Sequence, residues 1–111
     1  QQIAQDIALG LSYLQKAAAQ QNGVALNALG EAYEQGQGVE NNIEQAVQYY
    51  QQAAVQVNAD AYSHLGRLYT KGISVERDIG IARDWLEKGS LLGHERSIEL
   101  LKNVNAYLQM K

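Results

Sequence analysis

The stretch ALNALGEAYEQG at residues 25–36 returns as AYSHLGRLYTKG at residues 61–72. Laying 25–60 over 61–96 pairs Ala25 with Ala61, Leu29 with Leu65, Gly30 with Gly66, Tyr33 with Tyr69 and Gly36 with Gly72. Val39, Glu40, Ile43 and Ala46 then meet Val75, Glu76, Ile79 and Ala82, which makes nine identities at one offset of thirty-six residues. The same shift runs backwards, pairing Ile7, Tyr13, Gln15, Ala17, Ala18 and Gln20 with Ile43, Tyr49, Gln51, Ala53, Ala54 and Gln56. A period between ~20 and ~50 residues is the mark of a stacked repeat, in which each unit buries its apolar face against its neighbours. Chains of that kind present surfaces rather than reaction centres.

The 111 residues make one domain and leave room for about three units, near the minimum for a stable stack. An apolar fraction of 46% is ordinary for a globular protein and argues against disorder. With no cysteine there is no disulfide, thiolate metal site or thiol nucleophile, and the compartment stays open. No apolar run approaches the ~18 residues of a membrane span, so membrane insertion is not expected. No signal peptide is visible. The chain opens on Gln1-Gln2, and Gln1 aligns with Gln37, so the start falls inside a repeat and the expectation is an excised or processed piece.

The net charge of −3 argues against nucleic acid as a partner. Its distribution says more. Residues 1–60 hold one base, Lys16, and six acids, a balance of −5; residues 61–111 hold eight bases and six acids, a balance of +2. Solvated faces that drift in charge would give this, and so would a binding surface of two signs.

The pattern reads as helix throughout, because alanine, glutamine and leucine favour helix and no segment alternates for long. Ile3, Ile7, Leu11 and Leu14 mark a first helix to about Gln20. Asn22 caps a second, to about Gln35, carrying Val24, Leu26, Leu29 and Tyr33. Gly36 suits the left-handed residue that closes it. Asn42 caps a third, to about Gln56, with Ala46, Val47, Tyr50 and Ala53 inward. Asn58 or Asp60 opens the next, to about Lys71, and Gly72 closes it. Asp78 caps another to about Leu91, Gly93 breaks the chain, and a last helix runs from about His94 to Gln109 with Ile98, Leu101, Val104 and Leu108. The architecture expected is five helices, or two full pairs with an extra helix at each end. Gly30 and Gly66 sit mid-helix, where glycine costs about 1 kcal/mol against alanine. That cost points to another backbone passing close, with Ala46 and Ala82 opposite.

Ala25, Leu29, Gly30, Tyr33, Gly36, Gly38, Val39, Ala46, Tyr49, Tyr50, Ala53 and Ala54 resemble the Sel-one-like repeat (SLR), a relative of the tetratricopeptide repeat with a longer inter-helix loop. Ala61, Leu65, Gly66, Tyr69, Gly72, Val75, Asp78, Ala82 and Trp85 match it again, and Asp6, Tyr13, Lys16, Ala17 and Ala18 match the second half of a preceding unit. The string Ala-x3-Leu-Gly-x2-Tyr-x2-Gly, found twice, is specific. A period of thirty-six favours the longer-loop variant over the plain tetratricopeptide. Ser74 stands for the loop glycine seen at Gly38, and Gly89-Ser90 for Ala53-Ala54. Lys102 and Asn105 stand where the last helix should have its glycine and tyrosine, so that helix reads as a cap. The resemblance implies an all-α superhelix (solenoid), with 1–21 a partial repeat, 22–57 and 58–93 full repeats, and 94–111 a capping helix. It further implies a scaffold or adaptor, without enzymatic activity or cofactor, that helps to assemble bacterial envelope or host-interface complexes; periplasmic or secreted sites follow from the family alone.

Chemical constellations are sparse. Gly36-Gln37-Gly38 follows no strand and precedes no Gly-Lys-Ser/Thr, so it is a turn rather than a phosphate cradle. His64 and His94 lack a third ligand at helical spacing, and no metal site is expected. Ser63-His64 is not a triad fragment, because neighbours on a helix point apart. His94-Glu95 begins the last helix, with Glu95 placed well against its dipole. Glu31 and Glu34 share a helix face as a solvated or partner-facing pair. Of Tyr49-Tyr50 and of Trp85-Leu86, one residue each is core and the other partly exposed.

Two functions compete. One is a groove for a protein or peptide partner. The other is a glycan or peptidoglycan module using Tyr62, Tyr50 and Trp85. By analogy with the tetratricopeptide fold, first-helix positions that avoid the core line the concave side: Asn27, Glu31 and Glu34, then Ser63, Arg67, Thr70 and Lys71, with Glu99 and Asn103 continuing on the last helix. The row would be acidic, then basic. Ile3, Ile7 and Leu11 on the first helix form an apolar face suited to self-association.

Overall fold

The computed structural model describes residues 2–72 and 77–110. Six helices span them: α1 (Gln2–Ala19), α2 (Gly23–Gln35), α3 (Ile43–Val55), α4 (Ala59–Lys71), α5 (Ile79–Leu91) and α6 (Glu95–Gln109). Of the two expected forms, the one with two helix pairs and an extra helix at each end is found, not five helices. No strand occurs among the described residues. The chain forms two compact units, Gln1–Asn58 with α1–α3 and Ala59–Lys111 with α4–α6. The matches at Val75 and Glu76 and the departure at Ser74 lie outside the described residues.

Caps and turns repeat with the sequence. Asn22 accepts from the Ala25 amide at 3.0 Å, Asn42 from Gln45 at 3.0 Å and Asp78 from Ile81 at 2.9 Å, each filling one of the amides a helix start leaves without a partner. Gly36 and Gly72 take φ of 70° and 69°. The chain then turns back so that the Asn42 amide reaches the Tyr33 carbonyl at 2.9 Å and the Asp78 amide reaches that of Tyr69 at 3.0 Å. A second left-handed position follows the other helix of each pair, at Gln21 (φ 62°), Val57 (φ 59°) and Gly93 (φ 76°). There the amides of Asn22, Asn58 and His94 close onto the carbonyls of Ala17, Ala53 and Gly89 at 3.1–3.2 Å. Two of these three residues carry side chains, and valine is β-branched, so the turn imposes steric strain at Val57.

In the first unit α2 packs chiefly on α3 and also on α1. Leu26, Leu29, Ala46, Val47, Tyr50, Ala53 and Ala54 are buried between them, as anticipated for α3. Val24 stands exposed at the first turn of α2, outside that face. Gly30 is buried, but what fills the space beside it is a side chain, not a backbone: a Cβ there would lie 2.5 Å from the Tyr50 ring. Gly66 in the second unit likewise faces Leu86. The residues opposite the two glycines are therefore Tyr50 and Leu86, one helical turn beyond the expected Ala46 and Ala82. Tyr50 and Leu86 are the core members of their pairs, and Tyr49 and Trp85 are half-buried.

The second unit packs α4 on α5, and α6 on both. Ala61, Leu65, Leu68, Ala82, Leu86 and Val104 form its core. Gly89 lets α6 settle onto α5, because a Cβ there would strike Ser97 and come within 3.2 Å of the Tyr62 Cβ.

Candidate interaction site

On the second unit, helical spacing sets Arg67, Thr70 and Lys71 along the last turns of α4. Leu100, Asn103, Val104 and Tyr107 of α6 stand across from them, and Arg77 and Ile79 close the end. Together they line a cavity of about 240 Å³. Among the described residues its lining holds three cations, Arg67, Lys71 and Arg77, and no carboxylate. The Arg77 guanidinium lies 5.2 Å from the centre of the Tyr107 ring, a cation–π contact that orients it. Arg67 Nη2 is 3.2 Å from His64 Nδ1. Thr70 donates its hydroxyl proton to the Gly66 carbonyl at 2.7 Å, so it has no donor left for the cavity. Low-dielectric walls around like charges focus their field outward, so this cavity attracts anions more strongly than the same charges on a flat face.

The nine anticipated residues fall into four groups. Arg67, Thr70, Lys71 and Asn103 meet at this cavity. Asn27 and Ser63 are buried, at 7% and 6% exposure, and offer little to a partner. Ser63 turns its hydroxyl onto the Asp60 carbonyl at 2.8 Å, while Asn27 Oδ1 has no hydrogen bond among the described residues. Glu99 is exposed on α6 but is not part of the cavity lining.

Glu31 and Glu34 are half-buried on the first unit and do different work. Glu31 edges a shallow cleft of about 400 Å³ between α1 and α2, with Ile7, Leu11, Leu14, Ala28 and Ala32. Glu34 accepts from the Tyr50 hydroxyl at 2.7 Å, so it serves the core. Its carbonyl also accepts from the Asn41 side chain at 2.6 Å. Gly38 leans on α1, where a Cβ would come 2.7 Å from Ile7. Further along α1, Ile3 is 67% exposed.

The aromatic set proposed for glycan does not form an open platform. Tyr50 is fully buried, and Tyr62 is buried against Trp85, their rings 5.8 Å apart and tilted by 31°. Lys88 Nζ covers the Trp85 ring at 4.8 Å. In the first unit Tyr33 and Tyr49 stack at 5.5 Å. Burial, then the Tyr33 phenol, pushes the Tyr49 hydroxyl above its ordinary value of 10.0.

One cluster escaped the sequence reading. His94 caps α6, with Nδ1 taking the Ser97 amide at 3.3 Å and lying 3.0 Å from Ser97 Oγ. Its Nε2 is 2.8 Å from Asp60 Oδ1 at the start of α4. An accepting Nδ1 places the proton on Nε2, which donates to Asp60. The order Ser–His–Asp imitates a hydrolytic triad, but Ser97 is 0% exposed against Gly89, so no substrate reaches its hydroxyl. The cluster pins two helix starts together. Asn22, Asn58 and His94 recur at thirty-six residues, which was the available signal.

Paired helices with a periodic glycine and two left-handed turns per period define a helical-repeat protein. The chain belongs to the Sel1 repeat family, whose model matches residues 1–22, 23–56 and 59–94. Members of that family are in general protein-interaction modules on a non-catalytic fold. Three solved structures are similar. A protective antigen of uropathogenic Escherichia coli with an SLR fold superposes with a TM-score of 0.87 at 29% identity, over 91% of this chain and 22% of that one. A Sel1 repeat protein of Oxalobacter formigenes gives 0.82 at 33% identity, over 88% and 40%. Cysteine rich protein B of Helicobacter pylori gives 0.77 at 31% identity, over 82% and 68%. The chain thus spans about a fifth of the first and two fifths of the second. No curated protein sequence matches it. Among the described residues, no helix is long and apolar enough to cross a membrane.

Proposed function

We propose that this chain is a scaffold module that docks a protein or peptide partner on the first-helix faces of its units, in the assembly of a bacterial envelope or host-interface complex. The observation that carries the reading is the cavity between α4 and α6. Four residues chosen for exposure on a repeat helix, Arg67, Thr70, Lys71 and Asn103, converge there with an apolar lining. Similarity to an antigen of a uropathogenic bacterium supports the host-interface part. The two units offer different partners different signs, since Glu31 edges the cleft of the first and, among the described residues, the charged groups lining the cavity of the second are all cations. Charges at the edge of an interface act mainly on association rate and orientation. Replacing Arg67 and Lys71 by glutamate should therefore slow capture of the partner, flatten its salt dependence and leave the helical circular dichroism spectrum unchanged. Association kinetics across a salt series measure this. Capture that ignores the double reversal but is abolished by Gln48→Glu would move the site to the second helices.

A further inference from the structure

We propose that the α4–α6 cavity seats an acidic peptide segment, with one aliphatic side chain in the cavity and a carboxylate beside it on the cationic rim. This rests on the reading that the second unit docks a partner, and it names that partner's chemistry.

The floor is apolar. Val104 is buried, Ile79 and Leu100 are half-buried, and the polar atom of Thr70 is already bonded to Gly66. An apolar floor gains by covering hydrocarbon, whatever carries it. The volume then restricts the occupant. Small-molecule sites usually enclose about 300–1,000 Å³. At about 240 Å³ this cavity falls below that range and suits a single anchoring side chain of a longer chain.

The rim selects charge. Arg67, Lys71 and Arg77 come from different turns yet reach one opening, in a chain whose net charge is −3. A neutral aliphatic occupant would strip water from these cations without replacing it, and a basic one would be repelled. A carboxylate next to the aliphatic residue repays that loss with charge-assisted hydrogen bonds. Arg77, held over Tyr107, offers a guanidinium already oriented, and the Asn103 amide adds donors that can meet a peptide carbonyl.

The test uses the full chain labelled with nitrogen-15. The probe is a blocked peptide with Asp-Leu-Asp at its centre and Gly-Ser flanks. Three comparison ligands accompany it: the same peptide with serine for leucine, the same with lysine for both aspartates, and free hexanoate. The expected result is amide shifts confined to 67–71, 77–79 and 100–107 with the Asp-Leu-Asp peptide, at least tenfold weaker binding of the serine peptide, and none of the lysine peptide there. Lys71→Glu with Arg77→Glu should weaken the parent peptide about tenfold or more, and Asn103→Trp should block it. All three residues are exposed, so the variant spectra report directly whether the fold persists.

Binding that both variants leave unchanged overturns the proposal. Hexanoate binding as tightly as the peptide also overturns it, because the occupant would then be a free small anion. Should only the lysine peptide bind, with shifts around Glu31, the proposal fails while the scaffold reading stands on the first unit. Should no ligand shift any amide, both fall.

Discussion

The two glycine pockets, Gly30 in the first unit and Gly66 in the second, are the same backbone event filled by different chemistry. Beside Gly30 lies the Tyr50 ring, whose hydroxyl must be satisfied and is, by Glu34 at 2.7 Å. Beside Gly66 lies Leu86, which asks for nothing, and the position equivalent to Glu34 is Thr70, bonded to its own helix at 2.7 Å. One substitution in the core thus releases a surface position thirty-six residues from its counterpart. The first unit spends an acid on its interior; the second is free to collect cations around a cavity. The repeat fixes where space is left, and the filler decides what the neighbouring surface can become.

Enlarging the glycines should have the largest effect. Gly66→Leu is expected to cost about 1–3 kcal/mol or more, since Leu86 is fully buried and has nowhere to yield. Gly66→Ala should also destabilise, reversing the gain of up to about 1 kcal/mol seen at an exposed helix glycine. Chemical denaturation of these variants beside Gly30→Ala measures how far a leucine and a tyrosine ring differ in giving way. A Gly66→Leu protein as stable as the parent would break the comparison.

Next comes the hydroxyl. Tyr50→Phe removes a hydrogen bond to a carboxylate and should cost about 1.5–3 kcal/mol. Leu86→Met, its counterpart, conserves volume and should cost less than about 1.5 kcal/mol. Equal losses would mean that the Glu34 contact contributes nothing.

Smaller again is the turn. Val57→Gly should stabilise by up to about 1 kcal/mol, relieving a left-handed valine against the greater unfolded-state freedom of glycine. Gly93→Ala, at the equivalent position, should destabilise by a similar amount. Thermal unfolding of the pair decides the sign, and a destabilised Val57→Gly would show the turn to be unstrained.

The smallest effect concerns Tyr49. Its folded value lies above the unfolded one, so its contribution to stability is complete below about pH 10 and is lost as pH rises through the folded value. Ultraviolet titration of the phenolates should show Tyr49 ionising late, and Tyr33→Phe should reduce that lag by removing its second cause.

Much of the helical order was legible because caps and closing glycines are local chemistry. Asn22, Asn42, Asp78 and Gly36 each act within three or four residues of themselves. The contents of the glycine pockets were not. Whether Ala46 or Tyr50 faces Gly30 depends on how far α3 is shifted along its axis against α2, because both residues lie on one face a turn apart and the periodicity of α3 leaves that register open. The second turn was readable only at Gly93, since Gln21 and Val57 hide a left-handed backbone behind ordinary side chains. On the candidate surface, analogy with the tetratricopeptide fold pointed to Arg67, Lys71 and Asn103, which the structure sets around one cavity. Arg77 lay outside every helix face under consideration, and the burial of Asn27 and Ser63 was not legible because short polar side chains pass into a close-packed interior unannounced.

Trp85, the only tryptophan in the chain, lies in the second unit between Tyr62 and Lys88. Its emission therefore reports loss of that unit alone, while the first unit, with tyrosines only among its aromatics, stays silent at the same wavelength. A melt followed by tryptophan emission and by helical circular dichroism would coincide if the units unfold as one and separate if they do not. The sequence thus carries its own internal reporter for measuring how cooperatively two successive repeats hold together.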